Sequence, residues 1–465
     1  RLRLPLPPFP SRPQSIPALG AYRLYCSAVP SGRRAGWACD ARTVWGVNAL
    51  GRTAMKALAA AAVVGLLCAP LLVAGQGCTW RRTEMPPPLE GEPVSIGIPL
   101  PLTGPHAPFG QMKKNAYEMA VEEMNAAGGV DGRPLVLVIR DTAGQPEAAA
   151  AAAEKLLDVD GVHLLAGAYS SACALAVARV AERYGVPYVV DSAAADRITR
   201  QEWSFVFRVN PPAALYADGL TSFLGEVVRP ASMAVIHEDS DYGADLVRAM
   251  REWCRKQGVR ITVSEGYEPG TLDFTSVLAK VKDTDPDVVY VVSYLLEAPL
   301  IVRQARAEGL RPRLFAGGAG GFALPEFVTD AGEAGEHVVT AALWAPAVPY
   351  PRAAEFAETY RARYGEYPTY HAAGAYACIQ VVADALHRAA STDPERLRVA
   401  LADTELMTVF GPVRFESFDG YTNQNRTPTF VLQVLGGRHA IIWPPEAATA
   451  DYVFPDPASR EDGDG

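Results

Sequence analysis

A chain of 465 residues is too long for one ordinary hydrophobic core and fits about two domains of roughly 150 residues with additions. Its 49% hydrophobic and 20% charged residues suit globular packing and exclude general disorder. The net charge of −9 is unevenly spread: residues 1–77 hold eight arginines and Lys56 against Asp40, so the rest carries −17, a body that repels phosphate backbones and excludes nucleic acid as an expected partner.

Residues 1–54 are rich in Pro and Arg, begin with Arg and lack apolar periodicity, so they read as disordered or as sequence upstream of the true start. Met55-Lys56 supplies a short positive start, Ala57–Ala69 an apolar run too short for an ordinary span, and Val73–Gly77 a small-residue stretch. Residues 55–77 therefore have the layout of a secretory signal peptide, with a buried helix of the mature fold as the alternative. Cys78 stands where bacterial lipoprotein processing attaches lipid, although Gly75 and Gln76 depart from the usual pattern. Export is expected with or without the lipid, to the periplasm or the outer face of a bacterial membrane. Cys173, Cys254 and Cys378 remain in the body, an odd number without C-x-x-C spacing. At least one free, buried thiol is expected, with no disulfide framework, metal site or cofactor.

A Pro- and charge-rich linker, 78–92, leads to a first strand at Val94–Leu100, a loop over 102–110 and a helix at Gln111–Ala126 closed by Gly128-Gly129. Strands at Leu135–Arg140, His163–Ala166 and Val186–Val190 alternate with helices at Pro146–Leu157 and Ser170–Tyr184. That alternation predicts βαβ crossovers and a parallel sheet. The break Asn210-Pro211-Pro212 opens a second set. It comprises helices at Ala214–Val228, Tyr242–Gln257, Thr275–Lys282 and Ala298–Glu308, and strands at Met233–His237, Ile261–Tyr267, Val288–Ser293 and Leu314–Ala316. Beyond Trp344, helices are predicted at Ala353–Tyr364, Ala372–Ala389 and Pro394–Ala402, strands at Val413–Phe415 and Thr429–Leu435, and a frayed acidic end. Two α/β lobes with facing strand ends leave a cleft, the usual place for a ligand.

Gly167-Ala168-Tyr169-Ser170-Ser171 is a strand end turning into a helix, where unpaired amides and the helix dipole favour an anion. Ser170 and Ser171 serve equally as a plain helix cap. The glycines at 317–321 do not form G-x-G-x-x-G, Asp239-Ser240-Asp241 lacks the rest of a calcium loop and suits a cap before Tyr242, and neither H-E-x-x-H nor G-x-S-x-G occurs. An enzyme is the poorer reading.

Several short motifs occur in order behind the signal-like segment: Pro101-Leu102-Thr103-Gly104 with Gly110, Asn125–Val130, Gly167–Ser171, Val186–Val189, Asp241-Tyr242-Gly243 and Gly411–Phe415. In this order the chain, from about Val94 to Leu435, resembles the type I periplasmic solute-binding proteins of branched-chain amino acid ABC transporters. The resemblance implies two doubly wound α/β lobes, residues 93–211 with 345–412 and residues 212–344 with 413–445, joined by a three-crossing hinge around a ligand cleft, and an acidic tail at 446–465. It implies no catalysis; the solute-loaded form, a monomer, passes its small-molecule cargo to a membrane permease and its ATPase. A ligand-sensing receptor or regulator module of the same fold is the alternative.

The resemblance further implies that Ser170 and Ser171 hold a ligand carboxylate, that Ser192, Ala193 and Ala194 contact it from the loop after Val190, and that Phe109, Tyr242 and Tyr294 line the cleft. Core packing is the other reading of Phe109, and a helix start that of Tyr242. Two departures bear on the ligand. The loop after Val190 offers only Ser192 before three alanines, and Ala319 stands where leucine-type binders carry a Glu for the ligand's ammonium, with no acid before Glu326 in that loop. An unpaired ammonium in a closed cleft is costly, so a carboxylate, amide or urea-like solute without a free α-amino group becomes competitive.

Overall fold

The computed structural model describes residues 89–457 and 459. The expected upstream segment 1–54, signal peptide 55–77, lipid-attachment residue Cys78 and most of the linker 78–92 lie outside the described residues.

The first lobe is built on β1 (Val94–Leu100), β2 (Leu135–Asp141), β3 (Leu164–Ala166), β4 (Tyr188–Val190) and β5 (Val206–Arg208), all parallel. Side-chain alternation explains why their sequences are nearly all apolar. Leu164, Ala166 and Val189 face one core, shared with α1 (Ala107–Ala126) and α11 (Tyr370–Ala389). Leu165, Tyr188 and Val190 face another, shared with α2 (Pro146–Asp158) and α3 (Ser171–Tyr184). Helix α1 starts four residues before the sequence expectation, because Pro108 fits a first helical turn, where its missing N–H has no partner to lose.

The second lobe repeats the plan with β6 (Ser232–Glu238), β7 (Arg260–Tyr267), β8 (Val288–Val292), β9 (Leu314–Gly317) and β10 (Val339–Ala342). Here α6 (Asp241–Gln257), α7 (Thr275–Thr284) and α8 (Ala298–Ala307) alternate with the strands. The expected helix Ala214–Val228 is instead two short helices, Ala213–Tyr216 and Asp218–Phe223, running into a wider turn at Leu224–Val228.

Strands β11 (Glu405–Thr408) and β12 (Gly411–Arg414) pair as a hairpin of their own. With β13 (Glu416–Phe418), β14 (Tyr421–Gln424), β15 (Phe430–Val434) and β16 (His439–Trp443), the two sheets have the orders β13-β14-β5-β4-β3-β1-β2 and β16-β15-β10-β9-β8-β6-β7, which corrects the expected lobe boundary near the C-terminus. Strands β13 and β14 join the first sheet, with Gln424 opposite Arg208, although 413–445 was expected in the second lobe. Only β15 and β16 extend the second sheet. The third crossing thus follows Gln424. Asn425 anchors it, its Nδ2 donating to the carbonyl of Val209 on the first crossing at 2.8 Å and its Oδ1 accepting from the N–H of Arg414 at 2.9 Å.

The expected acidic tail is also corrected in part. Val453 N–H donates to Gln433 Oε1 at 2.9 Å, and Asp456 is buried and ion-paired with Arg306, so this stretch packs along the second lobe. Cys173, Cys254 and Cys378 are all free and buried, where at least one such thiol was expected. Among the described residues no helix is long and apolar enough to cross a membrane.

Candidate functional site in the interlobe cleft

In the first sheet β1 lies between β2 and β3, and in the second β6 lies between β7 and β8. At such switch points the loops leaving adjacent strand ends part and open a crevice. The loops after β1, β3, β6 and β8 all reach one cavity of about 740 Å3. They contribute His106 and Phe109, Ser170 and Ser171, Glu238 to Tyr242 without Asp239, and Tyr294 to Glu297. An inner recess of about 20 Å3 shares Ser171, Tyr242 and Tyr294 with it, and is enclosed by Tyr169, Ser192, Ala193, Ala194, Tyr216, Gly320, Tyr370 and His371. It has room for about one water, so a larger head group enters only if these rings rotate or the lobes part. Every residue expected from sequence at the ligand site therefore lines one or both cavities.

Helix α3 begins at the cleft after a turn in which Gly167 and Ala168 both have positive φ, 100° and 62°. Ser170 is its cap: Oγ accepts the N–H of Cys173 at 3.3 Å. Ser171 Oγ accepts the N–H of Ala195 at 3.0 Å, tying the two first-lobe loops together. The Ser171 hydroxyl proton has no acceptor among the described residues, whereas the Ser170 hydroxyl also lies against the Cys173 thiol. The N–H groups of Ser171 and Ala172 lie in the first helical turn, which has no intrahelical acceptors for them. Cap and clamp are thus compatible here.

The loop after β4 is held from behind by side chains absent from the sequence reading. Arg208, wholly buried on β5, donates through Nη1 to the carbonyls of Ala194 at 2.9 Å and Ala195 at 2.8 Å. Burial draws its guanidinium down to about 10, so it stays charged. Tyr216 and Asn210 Nδ2 each donate to the carbonyl of Ser192 at 3.3 Å. With the carbonyls so engaged, the N–H groups of Ala193 and Ala194 make no hydrogen bond among the described residues.

Ser192 is turned away from its expected role as a hydroxyl contact. Its Oγ accepts from Lys113 Nζ at 2.9 Å and donates to Asp191 Oδ1 at 3.1 Å. Lys113 is wholly buried and has three donors to satisfy; Asp191 at 2.7 Å, Ser192 and the carbonyl of Ala168 take them. Tyr117 donates to the other Asp191 oxygen at 2.6 Å. Burial lowers the Lys113 pKa, and the neighbouring Asp191 opposes the shift. One ammonium thereby fixes both ligand loops. Its signal was present in the sequence, since Lys113 shares the α1 stripe of Ala116, Tyr117, Ala120 and Val121.

The second-lobe wall is aromatic. Ser240 caps α6 by accepting the N–H of Gly243 at 3.2 Å, which sets Tyr242 in the first turn. The Tyr242 hydroxyl donates to the carbonyl of Gly318 at 2.6 Å, so its proton is already committed. Tyr294 stacks on Tyr242 with ring centroids 5.4 Å apart, and burial holds its phenol neutral. Facing them, Phe109 stacks on Tyr169 at 4.4 Å, and His371 lies 5.4 Å from Tyr169 and 3.8 Å from Tyr370. Burial pushes His371 well below the usual imidazole range and lowers His106, whose ring is 5.9 Å from that of Tyr294.

The loop 317–321 carries no carboxylate, as the sequence indicated. Ala319 is buried with φ 64° and ψ −134°, and a Cβ on Gly321 would meet the Tyr294 backbone at 2.4 Å. No acid lines the inner recess either, whereas two buried carboxylates line the outer cavity. Glu238 and Glu297, each 3% exposed, line that cavity from the end of β6 and the start of α8. They lie outside the loop from which a counter-charge was expected.

A sequence profile described as periplasmic binding protein matches residues 93–438. Leu/Ile/Val-binding protein homolog 7 of Brucella suis is 29% identical over 379 residues, covering 78% of this chain and 94% of that protein. Among solved structures, a leucine-binding protein of Thermotoga maritima superposes with TM-score 0.69 at 27% identity, over 75% of this chain and 97% of its own. A branched-chain amino acid transporter substrate-binding protein of Streptococcus pneumoniae, solved with isoleucine, gives TM-score 0.69 at 25% identity, over 78% and 99%. With two α/β lobes meeting at facing switch points and a profile match over most of its length, the chain belongs to the type I periplasmic binding proteins of the branched-chain amino acid transporter family.

Proposed function

We propose that the chain is the extracytoplasmic solute-capturing component of an ABC importer, taking a small carboxylate- or amide-bearing solute, an amino acid or related compound. The lobes close on the solute about the three crossings, and the loaded form, a monomer, hands it to a membrane permease driven by its ATPase. The observation that carries this reading is the convergence on one recess of donors without acceptors. The N–H and hydroxyl proton of Ser171 at the start of α3, with the N–H groups of Ala193 and Ala194, face the rings of Tyr242 and Tyr294, and Ser170 stands beside them on the outer cavity. Such donors at a helix start make charge-assisted hydrogen bonds to a carboxylate, while the rings bury the remainder of the solute.

Native mass spectrometry of the protein as purified, followed by thermal shift against amino acids, aromatic acids, amides and urea, tests the reading. A solute at a hundredfold its dissociation constant should stabilise the folded state by about 2.7 kcal/mol and be recovered unchanged. A broad panel without any shift overturns the binding reading; chemical conversion of the solute overturns its non-enzymatic part.

A further inference from the structure

Glu238 ends β6 at the second-lobe switch point, and Glu297 immediately precedes α8. Each is 3% exposed and lines the 740 Å3 cavity outside the inner recess. One Glu297 oxygen accepts the N–H of Gly270 at 2.8 Å, but neither carboxylate has an ion-pair partner among the described residues. The cavity lining contains no Lys or Arg. Other groups facing the pair do not neutralise it: Asp239 and Asp241 follow on the same loop, Asp241 already paired with Arg197, Asp330 adds a further carboxylate to the cavity, and Tyr267 and Tyr294 are phenols kept protonated by burial. His106, from the opposite lobe, is feebly basic because burial outweighs the pull of Glu297. Burial, with the neighbouring Glu297 charge, pushes Glu238 up to about 7. Buried carboxylates normally carry a cationic partner, and here Glu297 has the Gly270 N–H and Glu238 the Ser240 hydroxyl but neither has a cation among the described residues. A metal ion does not fit, since no group of three or more His, Cys, Asp or Glu side chains among the described residues is placed to hold one.

We propose that Glu238 and Glu297 form a subsite for the cationic end of the solute, whose carboxylate occupies the inner recess, so that the preferred ligands are acids bearing a distal ammonium or guanidinium group. This inference rests on the carboxylate-clamp reading of the recess and adds the charge of the solute's other end. The two cavities share Ser171, Tyr242 and Tyr294, and a chain passing along the edge of the stacked rings beside Ser171 links the two ends. The occupied subsite favours ionised Glu238, so binding a permanently charged guanidinium releases a proton wherever the free protein holds one.

Calorimetry with L-arginine and L-leucine at pH 6 and pH 8, in buffers of different ionisation enthalpy, tests the inference. Arginine is expected to bind at least tenfold more tightly than leucine at pH 8, to weaken severalfold at pH 6, and to release protons near pH 7. Glu238→Gln should weaken arginine about tenfold and remove its pH dependence while leaving leucine within twofold, and Glu297→Gln should weaken arginine alone. Leucine binding as tightly as arginine, or both variants binding arginine like the parent, overturns the subsite but leaves the clamp standing. Failure of both probes and of the wider acid panel overturns the clamp and the subsite together. Circular dichroism melts showing folded variants separate a lost contact from a lost fold.

Discussion

Ser171 acts twice, closing the gap between two loops through its oxygen and offering its proton to the cleft. Ser171→Ala should weaken a carboxylate ligand about tenfold, since a hydrogen bond to a charged group is worth about 1.5–3 kcal/mol; isothermal calorimetry measures it. Lys113 supports the same loops without lining either cavity. Lys113→Met leaves Asp191 buried without its partner, and the expected loss is about 3–5 kcal/mol of stability in urea unfolding. Adding Asp191→Leu should recover part of that loss, because it removes the stranded charge. These support residues were only partly legible in sequence. The helical stripe marks Lys113 as inward-facing, but its acceptors come from residues 55, 78 and 79 positions away.

The elements that shape the cleft are loops leaving the strand ends, and the backbone of one of them limits what it can carry. The segment 317–321 runs under Tyr242 and Tyr294, where a Cβ on Gly320 would meet the Ser293 carbonyl at 2.7 Å and the Tyr242 hydroxyl at 2.9 Å. Ala319, at φ 64° and ψ −134°, occupies a conformation that disfavours any side chain. Ala319→Gly should raise the free energy of unfolding by about 1 kcal/mol in denaturant titration, with ligand affinity unchanged. An unchanged or lower midpoint would contradict this account of strain. Strands β5, β10, β13, β14 and β16 were not read from sequence. Segments of three to five residues hold too little periodicity, and the partners that make them strands are distant, as Gln424 and Arg208 show.

At the scale of the molecule, buried titrating groups set a pH profile for the free protein. His371 and His439 have lowered pKa values, His439 about 4, so the unfolded chain binds more protons and stability falls as pH drops below about 6.5. Glu238 works in the opposite sense. Its raised pKa of about 7 means the folded state binds more protons between about 4.5 and 7, which offsets part of the histidine loss at low pH. Urea midpoints at pH 5 and pH 7 should therefore differ more in Glu238→Gln than in the parent; an equal or smaller difference contradicts the assignment.

By itself the sequence determined the alternation of strands and helices, the two-lobe plan and the helix start at Ser170, because buried parallel strands, amphipathic helices and caps are written in local order. It also marked Phe109, Tyr242 and Tyr294 for the cleft through the family resemblance. Only the tertiary structure decided which lobe takes residues 416–424, that Ser192 faces Lys113, and that Glu238 and Glu297 share a wall opposite His106. Those outcomes depend on groups far apart in the chain competing for the same buried hydrogen bonds and charges, and that competition is resolved only when the sheets have formed.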